Sequence, residues 1–523
     1  NFTTLWNYLQ TYGPFGTPGL CMSNPFEPYV SEKDAPECFG AHWSEAALGN
    51  NTAAAGQPQF SESDIWGASL RLNYDLGPVE IVSITAYREI SSEFARDQDL
   101  TPHPIAFTFD DFDQNQLSQE LQIKGLSFDE RLTWIIGGYF FDEHIDNVND
   151  VIFTPVAVRS GGIFDNQSIA VFGQGTFDVT DRLHLTAGGR WTRDDKTFDS
   201  QNSQFVLQSF VGPGIAYGFD ECGIDAIRPE DCLPTDDTDG IPQTGPFTIF
   251  GERVTELETS EFTPSVSVSF DVSDTALAYF SYSQGFKSGG FTQRVFPPLE
   301  VVPTVDPEEV TVYEVGFKSA LLDNRLRVNG AIFHTAYRDL QIQGFTPETG
   351  VAPVYFNAGR ARIRGVELDF LANPFEGFFI EGSMGYLDPE YVELADSIQQ
   401  QSGILLENQF ERISDWTASI GAQYEYILAP TVGSIRPRID WSYRSELFFN
   451  ARNSEEVAQP GYSVVNGTLA YTTPDRDFEL IFGVLNMFDK DYFVSAIVND
   501  NFAAFTATPD RGRQWFLRGQ VAF

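Results

Sequence analysis

The stretch Tyr313-Glu314-Val315-Gly316-Phe317-Lys318, with the turn Leu322-Asp323-Asn324 and the run Leu326-Arg327-Val328-Asn329-Gly330-Ala331-Ile332 behind it, decides how this chain folds. Tyr313, Val315 and Phe317 alternate with Glu314, Gly316 and Lys318, and Leu326, Val328, Gly330 and Ile332 alternate with Arg327, Asn329 and Ala331. After a polar link the pattern returns, with Val366, Leu368 and Phe370 set against Gly365, Glu367 and Asp369. Period two places successive side chains on opposite faces of a strand, so each run has one apolar and one polar face. What the polar face meets, bulk water or an enclosed lumen, decides what the protein does.

Working outward, strand signals begin near Phe60 and come in couples. The first runs from Phe60 to Tyr74 and Val79 to Ala95. The second runs from Asp113 to Gly125 and Leu132 to Asp146, and the third from Asn166 to Phe177 and Leu183 to Phe198. Later couples turn at Val272-Ser273-Asp274, Leu322-Asp323-Asn324, Asn373 to Glu376, Leu428 to Gly433 and Thr473 to Asp477, and a last strand runs from Arg511 to Phe523. The couples add up to about 17 strands. Every second connection is a turn of a few residues and those between are longer, the longest being the loop at 199–257. Short turns on one side and long loops on the other mark an outer-membrane barrel.

The faces agree. Leu183, Leu185, Ala187, Gly189 and Trp191 oppose Arg182, His184, Thr186, Gly188 and Arg190. Trp416, Ala418, Ile420, Ala422 and Tyr424 oppose Thr417, Ser419, Gly421 and Gln423. Ile435, Ile439, Trp441 and Tyr443 oppose Arg436, Arg438, Asp440 and Arg444. Trp and Tyr near strand ends suit the aromatic girdles of the two bilayer interfaces, and charges on the other face must look into a lumen, because lipid would not tolerate them. The expected fold is therefore all-β, a transmembrane antiparallel up-and-down barrel over residues 60–523. Residues 1–59 are expected as an extracellular loop holding a cysteine pair, with a short helix near Thr4 to Leu9.

Composition fits. No run approaches the roughly 18 apolar residues of a transmembrane helix. The chain of 523 residues has 74 acidic and 32 basic residues, a net charge of -42, and that balance excludes a nucleic-acid binder, which needs clustered Lys and Arg. It begins at Asn1 without initiator Met or apolar leader, so any signal peptide is expected upstream or already removed. Cys21 and Cys38 form one locally spaced pair and Cys222 and Cys232 another. In an exported protein these suggest two disulfides, although four cysteines allow three connectivities.

Tyr282-Ser283-Gln284-Gly285-Phe286-Lys287-Ser288-Gly289-Gly290-Phe291 resembles the "YS.GFKSGGF" strand end of TonB-dependent receptors. Tyr313 to Ser319 with Leu326 to Leu340 resembles that family's next hairpin. Asn357-Ala358-Gly359-Arg360-Ala361 with Gly365-Val366-Glu367 resembles its "NAG.A...GVE" strand, and Leu485-Asn486-Met487-Phe488-Asp489-Lys490-Asp491-Tyr492 resembles its "NLFDKDY" segment. The resemblance implies a barrel of 22 strands, of which this chain holds the C-terminal three-quarters, with about five strands upstream. It also implies a plug and a TonB box, neither of them in this sequence, through which the TonB–ExbB–ExbD system supplies energy. Further partners expected are outer-membrane lipid, lipopolysaccharide and the barrel-assembly machinery, to which Val521 and Phe523 supply the alternating hydrophobic end of an assembly signal.

The chemistry-bearing residues are sparse. The five histidines are scattered with no HExxH, and the glycines Gly285, Gly289 and Gly290 precede no phosphate-binding helix, so neither a catalytic site nor a cofactor is expected. Asp236, Asp237 and Asp239 hint at a calcium loop, but an EF-hand register would put Thr235 and Pro246 at ligand positions, and a flexible acidic loop is the plainer reading. Loop aromatics such as Phe205, Phe210, Tyr217, Phe219, Phe247 and Phe250 are candidate substrate contacts, or pack the loop against itself. Arg436, Arg438 and Arg444 either attract an anionic chelate or pair with carboxylates of the plug that fills the lumen. The functional expectation is a receptor importing a scarce nutrient, a ferric siderophore or similar chelate. The rivals are a passive porin-type channel and an outer-membrane enzyme or adhesin.

Overall fold

The computed structural model describes residues 59–97, 106–153, 156–201, 203–207, 244–295, 299–344, 354–499 and 504–522. The four cysteines, the helix expected near Thr4, Tyr217, Phe219, Asp236, Asp237, Asp239 and Phe523 lie outside the described residues. Twenty strands share one sheet, and three of them are short: Gln204–Leu207 and Thr244–Thr248 in a loop, and Tyr426–Ala429, which prolongs a neighbour. The remaining 17 form the wall. They are β1 (Phe60–Asp75), β2 (Val79–Asp97), β3 (Ala106–Ser127), β4 (Leu132–Phe153), β5 (Val156–Asp178), β6 (Leu183–Asp199), β7 (Val254–Ser273), β8 (Ala276–Lys287) and β9 (Glu308–Leu321). There follow β10 (Leu326–Arg338), β11 (Gly359–Ala372), β12 (Phe378–Leu394), β13 (Trp416–Tyr424), β14 (Gly433–Arg444), β15 (Tyr462–Thr472), β16 (Phe478–Leu485) and β17 (Gln514–Val521).

Each strand pairs antiparallel with the next, from β1 through β17, an up-and-down order with no crossover. Register fixes the faces, because directly opposed residues point the same way. Leu185 lies opposite Val268, Val315 opposite Ile332, Ile332 opposite Val366, Ile420 opposite Trp441, and Leu469 opposite Phe482, which makes a continuous apolar outer surface. Upper and lower aromatic rows border it. Trp66 with Tyr87, Tyr282 with Tyr313, and Tyr386 with Trp416 stand in ring contact in the upper row, and Tyr74, Phe270, Phe317, Phe370 and Tyr424 lie on the same face near the short turns. Bare backbone meets aromatic rings across strands as well. A Cβ on Gly365 would come within 2.2 Å of Phe333 Cζ, so the glycine makes room for a neighbouring ring.

The short turns tolerate unusual backbone. Phe128, Asp129 and Glu130 follow one another with φ of 55, 54 and 68°, and Leu322, Asp323 and Asn324 with 53, 56 and 65°. Three left-handed residues in a row reverse the chain in minimal length, at a steric cost borne at exposed positions, Phe128 and Leu322 among them. At the other end two expectations change. The β4–β5 connection is not a long loop, since only residues 154–155 separate the strands. The length has gone into the strands themselves: β3, β4 and β5 run 22, 22 and 23 residues, well past the ends expected at Asp113 and Asp146. A transmembrane strand needs roughly 9–11 residues, so these project far beyond lipid. There, with no lipid face to serve, the sequence loses its alternation while the backbone ladder continues. The long loop is also trimmed, because β7 starts at Val254 and the loop ends at 253 rather than 257.

Candidate functional site

The mouth of the wall, where the long connections gather, is where the buried apolar residues collect. Val158, Phe198, Ile249, Phe250, Val295, Val302 and Val354 form one cluster, with Phe164 stacked on Phe198 at 4.3 Å between ring centres. A second joins Ala358, Ala361, Tyr391, Leu394, Ile404, Phe410 and Ala451, and Phe356 packs against both. A third, Leu447, Phe449, Val457 and Ala496, continues the series. One short helix, α1 (Asp396–Ser402), lies in this region and ends on Gly403 in the left-handed conformation. The side chains of Val158, Phe164 and Phe198 share the lumen-facing parity of His184 and Arg190, so the first cluster fills the inside of the mouth. Of the largest fully buried apolar side chains, Phe198, Ile249, Ile404, Val295 and Val457 belong to this canopy, and Val82 to the wall below.

Polar ties lock the canopy to the wall. Lys196 Nζ donates to the Gly289 carbonyl at 2.9 Å, and Gln341 Nε2 donates to the Asp306 carbonyl at 2.9 Å and that of Ser288 at 3.1 Å. Asn357 Nδ2 donates to the carbonyls of Asp339 and Asp306 at 2.8 and 3.0 Å, joining two loops. At the long loop's base Arg253 grips Asp199, Nε to Oδ1 at 2.5 Å and Nη2 to Oδ2 at 2.7 Å. Gly161 passes so close to β4 that a Cβ would meet the Asn147 carbonyl at 2.1 Å, and its φ of 123° suits glycine alone.

Against the inner face of β3 and β4 sits a buried polar group. Asp110 accepts from Asn149 Nδ2 at 2.6 Å and from Asn147 Nδ2 at 3.2 Å, and Asp110 and Asn149 are directly opposed in register. Arg294, from the loop after β8, reaches into electrostatic range of Asp110. Burial presses the Arg294 guanidinium below its ordinary pKa, against the pull of Asp110. Among the described residues, Arg294 Nε and Asn149 Oδ1 are buried with no hydrogen-bond partner. Unpaired buried donors and acceptors are rare because each forfeits its hydration.

The residues marked from the sequence fall elsewhere. Arg436 and Arg438 face the lumen near the short-turn end, and their partners are carboxylates of the wall itself rather than of a plug: Arg436 pairs with Glu479 at 2.7 Å and Arg438 bridges Glu381 at 2.5 Å and Asp440 at 2.6 Å. Arg444 shares their face at the opposite end of β14, and among the described residues it makes no ion pair. Eight residues of strand, about 27 Å, separate it from Arg436, so the three are not brought to one place. His184, on the lumen face, is held between Asp178 and Asp271 at 2.5 and 3.1 Å. Phe205 and Phe247 are backbone partners in the short ribbon of the long loop, and Phe250 is packed into the first cluster. Val521 pairs with Phe478 on the outer face of the last strand. Asp110, Asn149 and Arg294 carried no signal in the sequence, since each stands outside an alternating run or a motif.

With this geometry in hand, known proteins place the chain. The family model for the TonB dependent receptor-like β-barrel matches residues 24–487. A probable TonB-dependent siderophore receptor, PiuA of Acinetobacter baumannii, is 25% identical over 272 residues, covering 50% of this chain and 34% of that protein. The ferric-pyoverdine receptor PbuA of a Pseudomonas strain is 24% identical over 260 residues, covering 48% of this chain and 29% of its own length. Among solved structures, the ferric yersiniabactin uptake receptor FyuA from Yersinia pestis superposes with a TM-score of 0.69 at 16% identity, covering 90% of this chain and 63% of that one. The closed form of the ferric-catecholate import receptor Fiu from E. coli K12 gives 0.63 at 16% identity, over 91% of this chain and 66% of that one. The chain thus spans about a third of the length of these curated relatives. With an apolar outer band, two aromatic rows and a polar face turned inward, it is an integral protein of the bacterial outer membrane, and it belongs to the TonB-dependent receptor family, whose β-barrel it carries.

Proposed function

We propose that this chain forms the wall and mouth of a receptor that captures a scarce nutrient outside the cell, a ferric siderophore or similar chelate, and imports it with energy from TonB–ExbB–ExbD. The observation that carries this reading is the roofed mouth. Loops that bury their own apolar clusters over the lumen suit capture of a solute, whereas a passive pore works best with its entrance clear. The relatives, a probable siderophore receptor and a ferric-pyoverdine receptor, support the choice of substrate class. β1 and β17 each have a partner on one side alone among the described residues, and unpaired edges inside a bilayer are too costly to stand. We take the wall to close as a 22-stranded barrel around a plug bearing the TonB box. The protein acts as a receptor rather than an enzyme, and lipopolysaccharide surrounds its projecting strands.

Cells expressing the full-length protein, with and without TonB, test this by uptake of radio-iron supplied as preformed chelates. Uptake that needs both the receptor and TonB is expected. Uptake that persists without TonB would mean a passive channel.

A further inference from the structure

We propose that the outer faces of β10 and β11, at and just above the upper aromatic row, form a docking site for the phosphorylated headgroup of a lipopolysaccharide molecule. The site faces the membrane and not the lumen, and it is independent of what the receptor imports.

On β11, Arg360, Arg362 and Arg364 alternate with Ala361 and Ile363, which pack inward against the second cluster of the mouth. The three arginines therefore share the face of Val366, Leu368 and Phe370, the face that meets lipid. Across the ladder Arg364 lies opposite His334, and His334 opposite Tyr313, which stands in the upper aromatic row. Arg364 and His334 thus lie at the depth where acyl chains give way to headgroups. Arg362 stands two residues higher, and Arg360 and Arg338 two higher again, so the cations climb about 13 Å along the strands. In their midst Ala336, opposite Arg362, carries only a methyl group and leaves the approach open.

Carboxylates frame this stripe on both sides without filling it. Arg338 pairs with Glu309 of β9 at 3.6 Å, Arg362 Nε donates to Glu390 of β12 at 2.8 Å, and Arg360 Nε donates to Glu393 at 2.6 Å. A single carboxylate takes at most part of a guanidinium's five donors. The exposed Arg364 guanidinium has no ion pair or hydrogen bond among the described residues, although Asp388 is its register partner. A cation on lipid parity at headgroup depth finds its counter-ion in the lipid, and a phosphate accepts charge-assisted bonds from such a fork. At the same height over β1 to β4 the outer face is acidic, with Asp64, Glu89, Asp113 and Asp146 standing around and above Trp66. Phosphate is repelled there unless a divalent cation intervenes, so β10 and β11 are where lipopolysaccharide binds without one.

The test uses full-length receptor in detergent with EDTA present, titrated with bisphosphorylated lipid A and with its dephosphorylated form, and bound lipid is read by native mass spectrometry. The bisphosphorylated form should bind the more tightly. Arg362→Gln combined with Arg364→Gln should weaken it about ten- to thirtyfold and leave the dephosphorylated form unchanged. Arg193→Gln, at an outward arginine of β6 already paired with Asp195 and Glu258, should change neither. Asp388→Asn should tighten the bisphosphorylated form, an effect that misfolding cannot imitate. Equal binding of the two lipids overturns the proposal, as does equal binding by the double variant and wild type, or an equal loss in Arg193→Gln. Binding abolished by EDTA also overturns it, because that places the lipid on the acidic sector. The receptor reading stands in each of these cases.

Discussion

The wall and the mouth of this barrel are stabilised by opposite arrangements of the same residue types. In the wall the large apolar side chains point out, with Leu70, Ile136, Val171, Val266, Ile332 and Ile439 all exposed to what would be lipid, and glycines and polar side chains line the other face. Backbone hydrogen bonds between neighbours hold it, since lipid offers the peptide groups no alternative partner. In the mouth the order is that of a water-soluble domain, with Phe198, Ile249 and Val295 fully enclosed and polar groups outside. There the hydrophobic effect does the holding. The upper aromatic row marks the border where one solvent gives way to the other.

This contrast predicts where the molecule breaks. Phe198→Ala should be the most disruptive single change, costing about 3–5 kcal/mol because the site is closed on all sides. Its effect should stay in the mouth, seen as faster proteolysis of the loop after β8 while the barrel keeps its heat-modifiable migration on gels. Leu368→Arg, on the lipid face of β11, should cost about 2–4 kcal/mol in a urea titration of the folded barrel in bilayers. Glu367→Arg next door, facing the lumen, should cost far less, and equal costs would contradict the assignment of faces. Gly365→Ala should cost about 1–3 kcal/mol by displacing the Phe333 ring, read in the same titration. Arg436→Gln should be smallest, about 0–1 kcal/mol, because its ion pair with Glu479 is partly solvated. A larger loss there would mean that the lumen wall is drier than its exposure suggests.

How far the sequence could be read follows the same border. The faces of β6, β13 and β14 stand as the alternation implied, and the strand count agrees, because lipid on one side and lumen on the other impose a strict period on every residue. Strand ends were less legible. Above the upper aromatic row Asp142, His144 and Asp146 put polar side chains on the outer parity of β4 and break the pattern, yet the ladder goes on, since strand pairing needs backbone and not alternation.

The sequence by itself therefore determined the wall: period-two strands with an aromatic border, joined by short turns on one side and long loops on the other, have little choice but an outer-membrane barrel. The tertiary structure alone decided the mouth. The cluster around Phe198 draws residues from β5, β6 and three loops, and Phe356 of one of those loops packs against the second cluster as well. Such contacts obey no local period. They arise when strand register carries distant loops over the same opening, where burying their apolar residues together removes more surface from water than each loop could alone.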